Sequence, residues 1–203
     1  MRVVFLQLRG GVGKSSICMA SWQALNTEDE QWGYITNDVY VSLENKIPQK
    51  QLLKVGFNEK IPIVDFDCLY DCGGYASEAV KKVVENADLV FLPTLTDLIS
   101  LQTHLHTIRE VEELNKNIIQ IVNKTKNGEF EEVKNFFQSK GINYPIYEIR
   151  ESKVIADIFN QSKSIQKQIE EKVILNQYTK QAINQVNQIV NLIKERKQKL
   201  CQK

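Results

Sequence analysis

The feature that most constrains this chain is a glycine-rich turn between an apolar run and a run with helical spacing. Residues 3–7 (VVFLQ) predict a short buried strand, and residues 15–26 predict a helix. The turn between them reads RGGVGKSS over residues 9–16. A strand that enters a glycine loop and then a helix directs backbone N–H groups and the helix N-terminus toward one point, and this geometry binds phosphate. A Gly-Lys-Ser triplet also occurs in ordinary turns, but the flanking strand and helix favour a phosphate site.

The remaining pattern predicts an α/β protein with a three-layer arrangement, a mostly parallel central sheet and helices on both faces. Further strands are predicted at 33–36, 61–70, 89–92, 118–122 and 144–149, and helices at 76–86, 100–115 and 129–139. Residues 42–60 show no clear element. From Ser164 onward, apolar residues recur at helical spacing in one long helix or two in series. We expect a single domain over 1–203, with 163–203 packed on it or extending from it.

Composition excludes several classes of protein. The 203 residues carry 26 Lys and Arg against 25 Asp and Glu, so the net charge of +1 points to no polyanionic partner. The sequence has no run of 18 apolar residues, and the first apolar run is too short for a signal peptide. The four cysteines lack zinc-type pairing, which predicts reduced thiols in a cytoplasmic protein.

The loop departs from the common phosphate-loop pattern, which requires a glycine where this chain has Leu8. It resembles instead the deviant Walker A motif, Lys-Gly-Gly-x-Gly-Lys-Ser/Thr, of the ParA/MinD family of ATPases. The resemblance spans nearly the whole chain and is closest to the small plasmid-partition type.

Four later segments are similar to segments of that family. Residues 71–74 (DCGG) resemble its Walker B turn, and residues 87–93 (ADLVFLP) resemble its next strand, which ends in proline. Asn123 matches a strand-end asparagine that contacts adenine, and residues 34–38 (YITND) stand where the family carries Asp-x-Asp-Pro-Gln.

The resemblance implies ATP or ADP and Mg²⁺ as ligands, with roles for individual residues. The backbone N–H groups of the loop would bind the β- and γ-phosphates; these belong to Gly10, Gly11, Val12 and Gly13. Lys14 would neutralise phosphate charge, Ser15 would hold Mg²⁺, and Ser16 would lie near the α-phosphate. Asp71 would hold the metal through water, Asp38 would orient the attacking water, and Asn123 would contact adenine.

Alternatives stay open for three of these assignments. Asp65 and Asp67 compete with Asp71, because residues 61–65 also form an apolar run that ends in Asp. The glycine turn after Asp71 favours Asp71, and Pro62 counts against a central strand before Asp65. Asp38 and Asn123 could instead be ordinary turn-forming residues after a strand.

Two departures from the family pattern bear on catalysis. Arg9 stands in place of the signature lysine that reaches across a nucleotide-bound dimer, and it could act in trans like an arginine finger or pack locally. Around Asp38, the family's first Asp, its Pro and its Gln are Thr36, Val39 and Tyr40. These changes predict slow hydrolysis, or hydrolysis that needs an activating partner.

The C-terminal residues KERKQKLCQK are rich in cations. They could form a solvated helix end, or bind DNA without sequence preference through Lys194, Arg196, Lys197 and Lys199. A MinD-like membrane helix is disfavoured because no aromatic anchor lies among its apolar residues.

By resemblance, the chain is expected to be an ATPase that forms a homodimer on ATP, binds nonspecific DNA and drives partition of a plasmid or other cargo. A ParB-like centromere-binding or cargo adaptor protein would stimulate hydrolysis, and the protein would associate with the nucleoid. The alternatives are a nucleotide-binding dimerisation scaffold with little hydrolysis and a MinD-like membrane-associated positioning ATPase.

Overall fold

A computed structural model describes residues 1–38, 43–56, 59–73, 77–171 and 176–202. Its strands, in chain order, are β1 (Arg2–Gln7), β2 (Gly33–Thr36), β3 (Leu52–Lys54), β4 (Cys68–Gly73), β5 (Leu89–Thr94), β6 (Ile118–Thr125) and β7 (Ile146–Arg150). Its α-helices are α1 (Lys14–Leu25), α2 (Glu78–Glu85), α3 (Leu98–Glu112), α4 (Glu129–Ser139), α5 (Lys153–Ala156), α6 (Ile165–Glu170) and α7 (Gln177–Cys201). A single 3₁₀ turn, Gln49–Gln51, precedes β3.

The seven strands form one parallel sheet in the order β3-β2-β4-β1-β5-β6-β7. The predicted fold class is therefore confirmed. From β1 the chain runs to β2 and the edge strand β3, returns to β4 beside β1, and then runs to β5, β6 and β7 on the other side. The carboxyl end of β1 therefore lies at the switch point where α/β sheets bind ligands.

Alternate residues of β1 contact the two helical layers. Val3 and Phe5 belong to the apolar cluster that contains α1 and α7, whereas Val4 and Leu6 belong to the cluster that contains α2 and α3. Because both faces are covered, β1 is an unbroken run of apolar residues before Gln7. Helix α1 lies between the sheet and α7, which accounts for its burial from Ile17 to Trp22.

The C-terminal helix α7 shares the core of the sheet. Ala182, Val186, Ile189 and Ile193 are buried in the same cluster as Phe5. Within the described residues, no helix combines the length and apolarity needed to cross a membrane.

Several predicted boundaries were wrong. Residues 61–67 are irregular, and the strand begins only at Cys68 because Tyr70 uses its hydroxyl group to hold the preceding segment at Pro62 and Val64. Helix α3 starts at Leu98 because Asp97 caps it by accepting from Ser100 N–H. β5 runs through Pro93 to Thr94, and β7 starts at Ile146. The predicted turn residue Gly74, the predicted helix start at Ala76 and the apolar position Val173 lie outside the described residues. The predicted break near Asn176 and Gln177 is confirmed, because Asn176 is the N-cap of α7.

Candidate nucleotide site

The glycine loop leaves the central strand and enters α1 through two left-handed residues. Gly11 has φ of 78° and Gly13 has φ of 86°, a region where side chains are strained. Gly13 is the N-cap of α1, and no side chain caps that end. The first N–H groups of α1 therefore remain available to a ligand, and the helix N-terminus favours an anion.

Asn123 packs directly against this loop. Its amide nitrogen donates to the carbonyl oxygen of Val12 at 2.8 Å, and its oxygen accepts from Lys124 N–H at 2.9 Å. A Cβ atom on Gly13 would lie 2.2 Å from Asn123 Nδ2. Gly13 is thus required both by its backbone conformation and by the close approach of β6.

Lys14 forms a largely buried ion pair with Asp71. The ammonium group donates to Asp71 Oδ1 at 2.5 Å and lies 3.3 Å from Ser15 Oγ. Burial opposes the charged form of Lys14, but the Asp71 carboxylate outweighs that cost and the pKa of Lys14 is raised. The Asp71 side chain is fully buried, so the lysine supplies its counter-charge.

The second oxygen of Asp71 accepts a hydrogen bond from Tyr34. The Tyr34 hydroxyl lies 3.0 Å from Asp71 Oδ2, and both residues have no exposed surface. Burial, reinforced by the Asp71 charge, raises the pKa of Tyr34 far above its usual range. The hydroxyl therefore stays protonated and acts as a donor.

Asp38 is held at the cleft by the hydroxyl group of Thr36. Asp38 N–H donates to Thr36 Oγ1 at 3.0 Å, and Thr36 Oγ1 donates to the carbonyl oxygen of Asp71 at 3.0 Å. Asn37 exchanges two hydrogen bonds with the backbone of Gly73. The ends of β2 and β4 are thereby joined beside the glycine loop. Val39 and Tyr40 lie outside the described residues.

Arg9 is engaged within its own chain. Its Nη1 donates to Asp97 Oδ1 and to Ser100 Oγ, both at 2.6 Å. Asp97 also caps α3, and the Ser100 and Arg9 hydrogen bonds lower its pKa to about 2. Arg9 keeps about a third of its side chain exposed at the mouth of the cleft.

These groups line one cleft of about 420 Å³ at the carboxyl ends of the strands. The structure places there every predicted phosphate-loop residue from Arg9 to Ser16, together with Asp38 and Asn123. Asp71 lies beneath them, against Lys14. The sequence did not indicate the other end of the cleft, formed by Lys124, Arg150, Ser152, Ile155 and Ala156.

That far end is formed where β6 and β7 finish side by side. Lys124 has a left-handed φ of 57° at an irregularity in the β6–β7 pairing. Ser152 Oγ is buried with no hydrogen-bond partner among the described residues. Arg150 lies over the ring of Tyr178, with its guanidinium carbon 5.5 Å from the ring centroid. In the sequence, the only sign of Arg150 and Ser152 was their position after the last predicted strand.

A buried polar network supports the start of the loop from behind. Gln7 donates to Pro93 O and to His104 Nδ1, each at 3.0 Å, and accepts from Leu8 N–H at 2.8 Å. His104 Nε2 lies 3.2 Å from Gln120 Oε1. Burial lowers the pKa of His104 to about 4, although the Gln120 hydrogen bond acts in the other direction. The ring is therefore neutral at pH 7, with its proton on Nε2.

The predicted DNA-contacting cations lie at the opposite end of the sheet. Lys197 pairs with Glu30 and with Asp67, whose other oxygen binds the N-terminal ammonium at 2.7 Å. Arg196 Nη2 donates to Asn117 Oδ1 at 3.0 Å. Asp67 is thus part of this ionic cluster and remote from Lys14, and Asp65 is exposed before β4. Of the two competitors to Asp71, neither lies at the cleft.

The oxygen donors at the loop fit a magnesium ion. Ser15 offers a hydroxyl and Asp71 a carboxylate, which are the ligand types that Mg²⁺ takes when phosphates and waters complete its shell. Within the described part of the chain, no group of three or more His, Cys, Asp or Glu side chains is arranged to hold a metal ion.

No protein-family profile and no curated protein matches this sequence. Solved structures do match the fold along nearly its whole length. A chain of the MinC:MinD cell division protein complex from Aquifex aeolicus is 16% identical, with a TM-score of 0.65 and coverage of 94% of this chain and 95% of that one.

Two structures solved with nucleotides give similar results. Septum site-determining MinD with Mg-ADP, from Pyrococcus horikoshii, is 13% identical with a TM-score of 0.66, covering 96% of this chain and 98% of that one. A plasmid partition protein from Borrelia burgdorferi bound to AMPPNP is 13% identical with a TM-score of 0.59. The match covers 95% of this chain and 98% of that one. The resemblance seen in the glycine loop is thus confirmed at the level of architecture, and the chain has the fold of the MinD and ParA ATPases.

Proposed function

We propose that this protein is an ATPase of the ParA/MinD type, in which ATP binding drives formation of a homodimer. The observation that carries the proposal is the cleft itself. An uncapped helix N-terminus, two left-handed glycines and a buried lysine–aspartate pair converge at the switch point of a parallel sheet.

Each group has a role in this proposal. Loop N–H groups bind the β- and γ-phosphates, and Lys14 moves its charge from Asp71 to the phosphates. Ser15, and Asp71 through water, would hold Mg²⁺, which would supply charge neutralisation at the transferring phosphoryl group. Asp38 orients the attacking water, and Asn123 with the β7 end of the cleft accommodates the base.

We further propose that the dimer binds DNA without sequence preference and that a ParB-like or cargo-bound partner stimulates hydrolysis. In support, one solved structure with this fold is a plasmid partition protein. The γ-phosphate would act as a switch, because it stabilises an assembled state that hydrolysis dissolves. This mechanism places the protein in the cytoplasm, on the nucleoid.

A second candidate is a nucleotide-binding scaffold with little hydrolysis. The contacts of Arg9 with Asp97 and Ser100 favour it, because an arginine engaged in its own chain is withheld from a partner's nucleotide. An Asp38→Ala variant distinguishes the two. The enzyme should lose hydrolysis and accumulate as an ATP-bound dimer, whereas the scaffold should show no change.

The first test is molar mass by light scattering with ADP, ATP and a slowly hydrolysed ATP analogue, each with Mg²⁺. Wild type should be a monomer with ADP and a dimer with the triphosphates. Lys14→Ala should stay monomeric throughout, since it loses the phosphate-binding charge. A wild-type chain that binds triphosphate but remains a monomer would refute the dimer, and one that binds no nucleotide would refute the proposed function.

A further inference from the structure

The packing of β2 does not require the buried hydroxyl group of Tyr34. β2 is a four-residue strand inside the sheet, and its neighbours Gly33, Ile35 and Thr36 are buried as well. A phenylalanine would fill the same core volume without bringing a polar group into it. The hydroxyl is nevertheless satisfied, because it donates to Asp71 Oδ2 at 3.0 Å.

The sheet register explains how the two side chains meet. Thr36 pairs with Asp71 in the β2–β4 ladder, so their side chains leave the same face of the sheet. Tyr34 lies two residues earlier on that face, and its ring extends toward the carboxyl end of β4. Helix α1 covers this face and brings Lys14 to the other oxygen of Asp71 at 2.5 Å.

We infer that Tyr34 is a positioning residue for Asp71. By holding Oδ2, the hydroxyl fixes the rotation of the carboxylate and leaves Oδ1 as the oxygen that faces the first turn of α1. Lys14 donates to Oδ1 in the structure. When phosphate draws the ammonium away, Oδ1 becomes available to the magnesium site while Oδ2 stays bound to Tyr34. The inference rests on the proposed nucleotide-binding function.

The test is the Mg²⁺ dependence of binding of a fluorescent, slowly hydrolysed ATP analogue. In Tyr34→Phe, the half-saturating Mg²⁺ concentration should rise about three- to tenfold, the scale expected for loss of one ordinary hydrogen bond. Affinity for the analogue in EDTA should change less than about twofold, an order-of-magnitude expectation for a group that does not touch the nucleotide.

Tyr70→Phe is the matched control. Tyr70 is also fully buried, but its hydroxyl donates to Pro62 O at 3.0 Å on the other face of the sheet. This variant loses a hydroxyl group of the same kind and should keep the wild-type Mg²⁺ dependence. Thermal unfolding of both variants measures the general cost of removing a buried hydroxyl.

A double-mutant cycle separates positioning from a general structural effect. In an Asp71→Asn background, Tyr34→Phe should no longer shift the half-saturating Mg²⁺ concentration, because the two changes act through one group. A shift that persists there, or a Tyr34→Phe protein with wild-type Mg²⁺ dependence, would overturn the inference and leave the proposed function intact. A wild-type chain that binds no analogue with or without Mg²⁺ would overturn both.

Discussion

At the scale of single residues, Gly13 shows how conformation and packing constrain the same position. Its φ of 86° disfavours any side chain, and a Cβ atom would also lie 2.2 Å from Asn123 Nδ2. We therefore expect Gly13→Ala to abolish nucleotide binding and to lower the free energy of unfolding by about 2 kcal/mol or more. Nucleotide titration and denaturant unfolding measure the two effects.

Gly128 provides the control for that substitution. It also has φ of 86° and is the N-cap of α4, but a Cβ atom there would meet no heavy atom within 4 Å. Gly128→Ala should show the backbone strain alone, about 1–2 kcal/mol, with nucleotide affinity unchanged. Equal losses of stability in the two variants would refute the role of the Asn123 contact.

The lowered pKa of the buried His104 ring leads to the prediction that the protein loses stability in acid. Its folded pKa of about 4 lies below the ordinary histidine value of 6.5, so the unfolded chain binds the extra proton first as the pH falls. The stability associated with the neutral ring is complete above pH 6.5 and is lost as the pH falls toward 4, by about 3 kcal/mol in total. Protonation at Nδ1 would also break the hydrogen bond from Gln7.

Chemical denaturation at a series of pH values tests this prediction. His104→Gln should be less stable at pH 7 but should lose less stability between pH 6.5 and 4 than wild type. His106→Gln is the control, because His106 is exposed on the same helix. A His104→Gln profile parallel to that of wild type would show that the acid sensitivity arises elsewhere.

At the scale of elements, hydrophobic periodicity predicted the helices and strands that have a regular pattern of buried residues. β2 (Gly33–Thr36) and α4 (Glu129–Ser139) have the boundaries that their spacing indicates. β3 could not be predicted because three residues carry no period, and it exists as a strand only through its pairing with β2. Helix α5 has only four residues and could not be predicted for the same reason.

The same limit applies to the site. The phosphate loop is continuous in sequence and carries its own geometry, so it can be recognised directly. Ser152 and Arg150 lie at the cleft only because β7 pairs with β6 at the edge of the sheet. In the sequence, Tyr34 has the pattern of an ordinary strand residue, and only the register of β2 against β4 shows that it contacts Asp71.

The junction of β2 and β4 yields a prediction about hydrolysis. Thr36 Oγ1 accepts from Asp38 N–H and donates to Asp71 O, so it holds the backbone that carries Asp38. Thr36→Val keeps the side-chain shape but removes both hydrogen bonds. We expect the rate of ATP hydrolysis to fall about tenfold or more, the scale of misplacing a catalytic group.

Thr36→Ser should restore hydrolysis, because it keeps the hydroxyl group. Single-turnover hydrolysis measures the rate, and titration of the ATP analogue checks that affinity is retained in both variants. If serine reduces the rate as much as valine does, the hydroxyl group is not sufficient to hold Asp38 in place, and the prediction is refuted.

The contact between Arg9 and Asp97, in the loop before α3, leads to a prediction about ATP-dependent dimerisation. Asp97→Asn removes the charge that binds Arg9 but keeps a good N-cap for α3. Since the pair is partly exposed, its removal should promote ATP-dependent dimerisation only about two- to fivefold, measured as the protein concentration at half-dimer. Weaker dimerisation would contradict this prediction. It would mean that Asp97 holds Arg9 in the position from which it contacts the partner's nucleotide.

At the scale of the whole molecule, net charge does not locate a DNA-binding surface, because +1 is the balance of 26 basic and 25 acidic side chains. Two of the four C-terminal candidates already have contacts within the chain. Lys197 is bound to Glu30 and Asp67, and Arg196 contacts Asn117. Among the described residues, Lys194 and Lys199 form no ion pair, and they lie on α7 far from the nucleotide cleft.

We therefore expect Lys194→Ala/Lys199→Ala to weaken ATP-dependent DNA binding while leaving nucleotide affinity and dimerisation intact. The plot of log affinity against log salt concentration should become shallower by about 0.9 for each DNA phosphate that the variant no longer neutralises. Fluorescence anisotropy with a duplex of random sequence, over a range of salt concentrations, measures the slope for each variant.

Lys81→Ala/Lys134→Ala is the control of equal charge, since each of these lysines pairs with a glutamate three residues away on its own helix, α2 or α4. If both double variants reduce the slope equally, the dimer responds to total charge and α7 is not the DNA-binding surface. If only the α7 variant has a reduced slope, the two ends of the sheet have separate functions. The nucleotide binds at the carboxyl ends of the strands, and DNA binds at the amino ends.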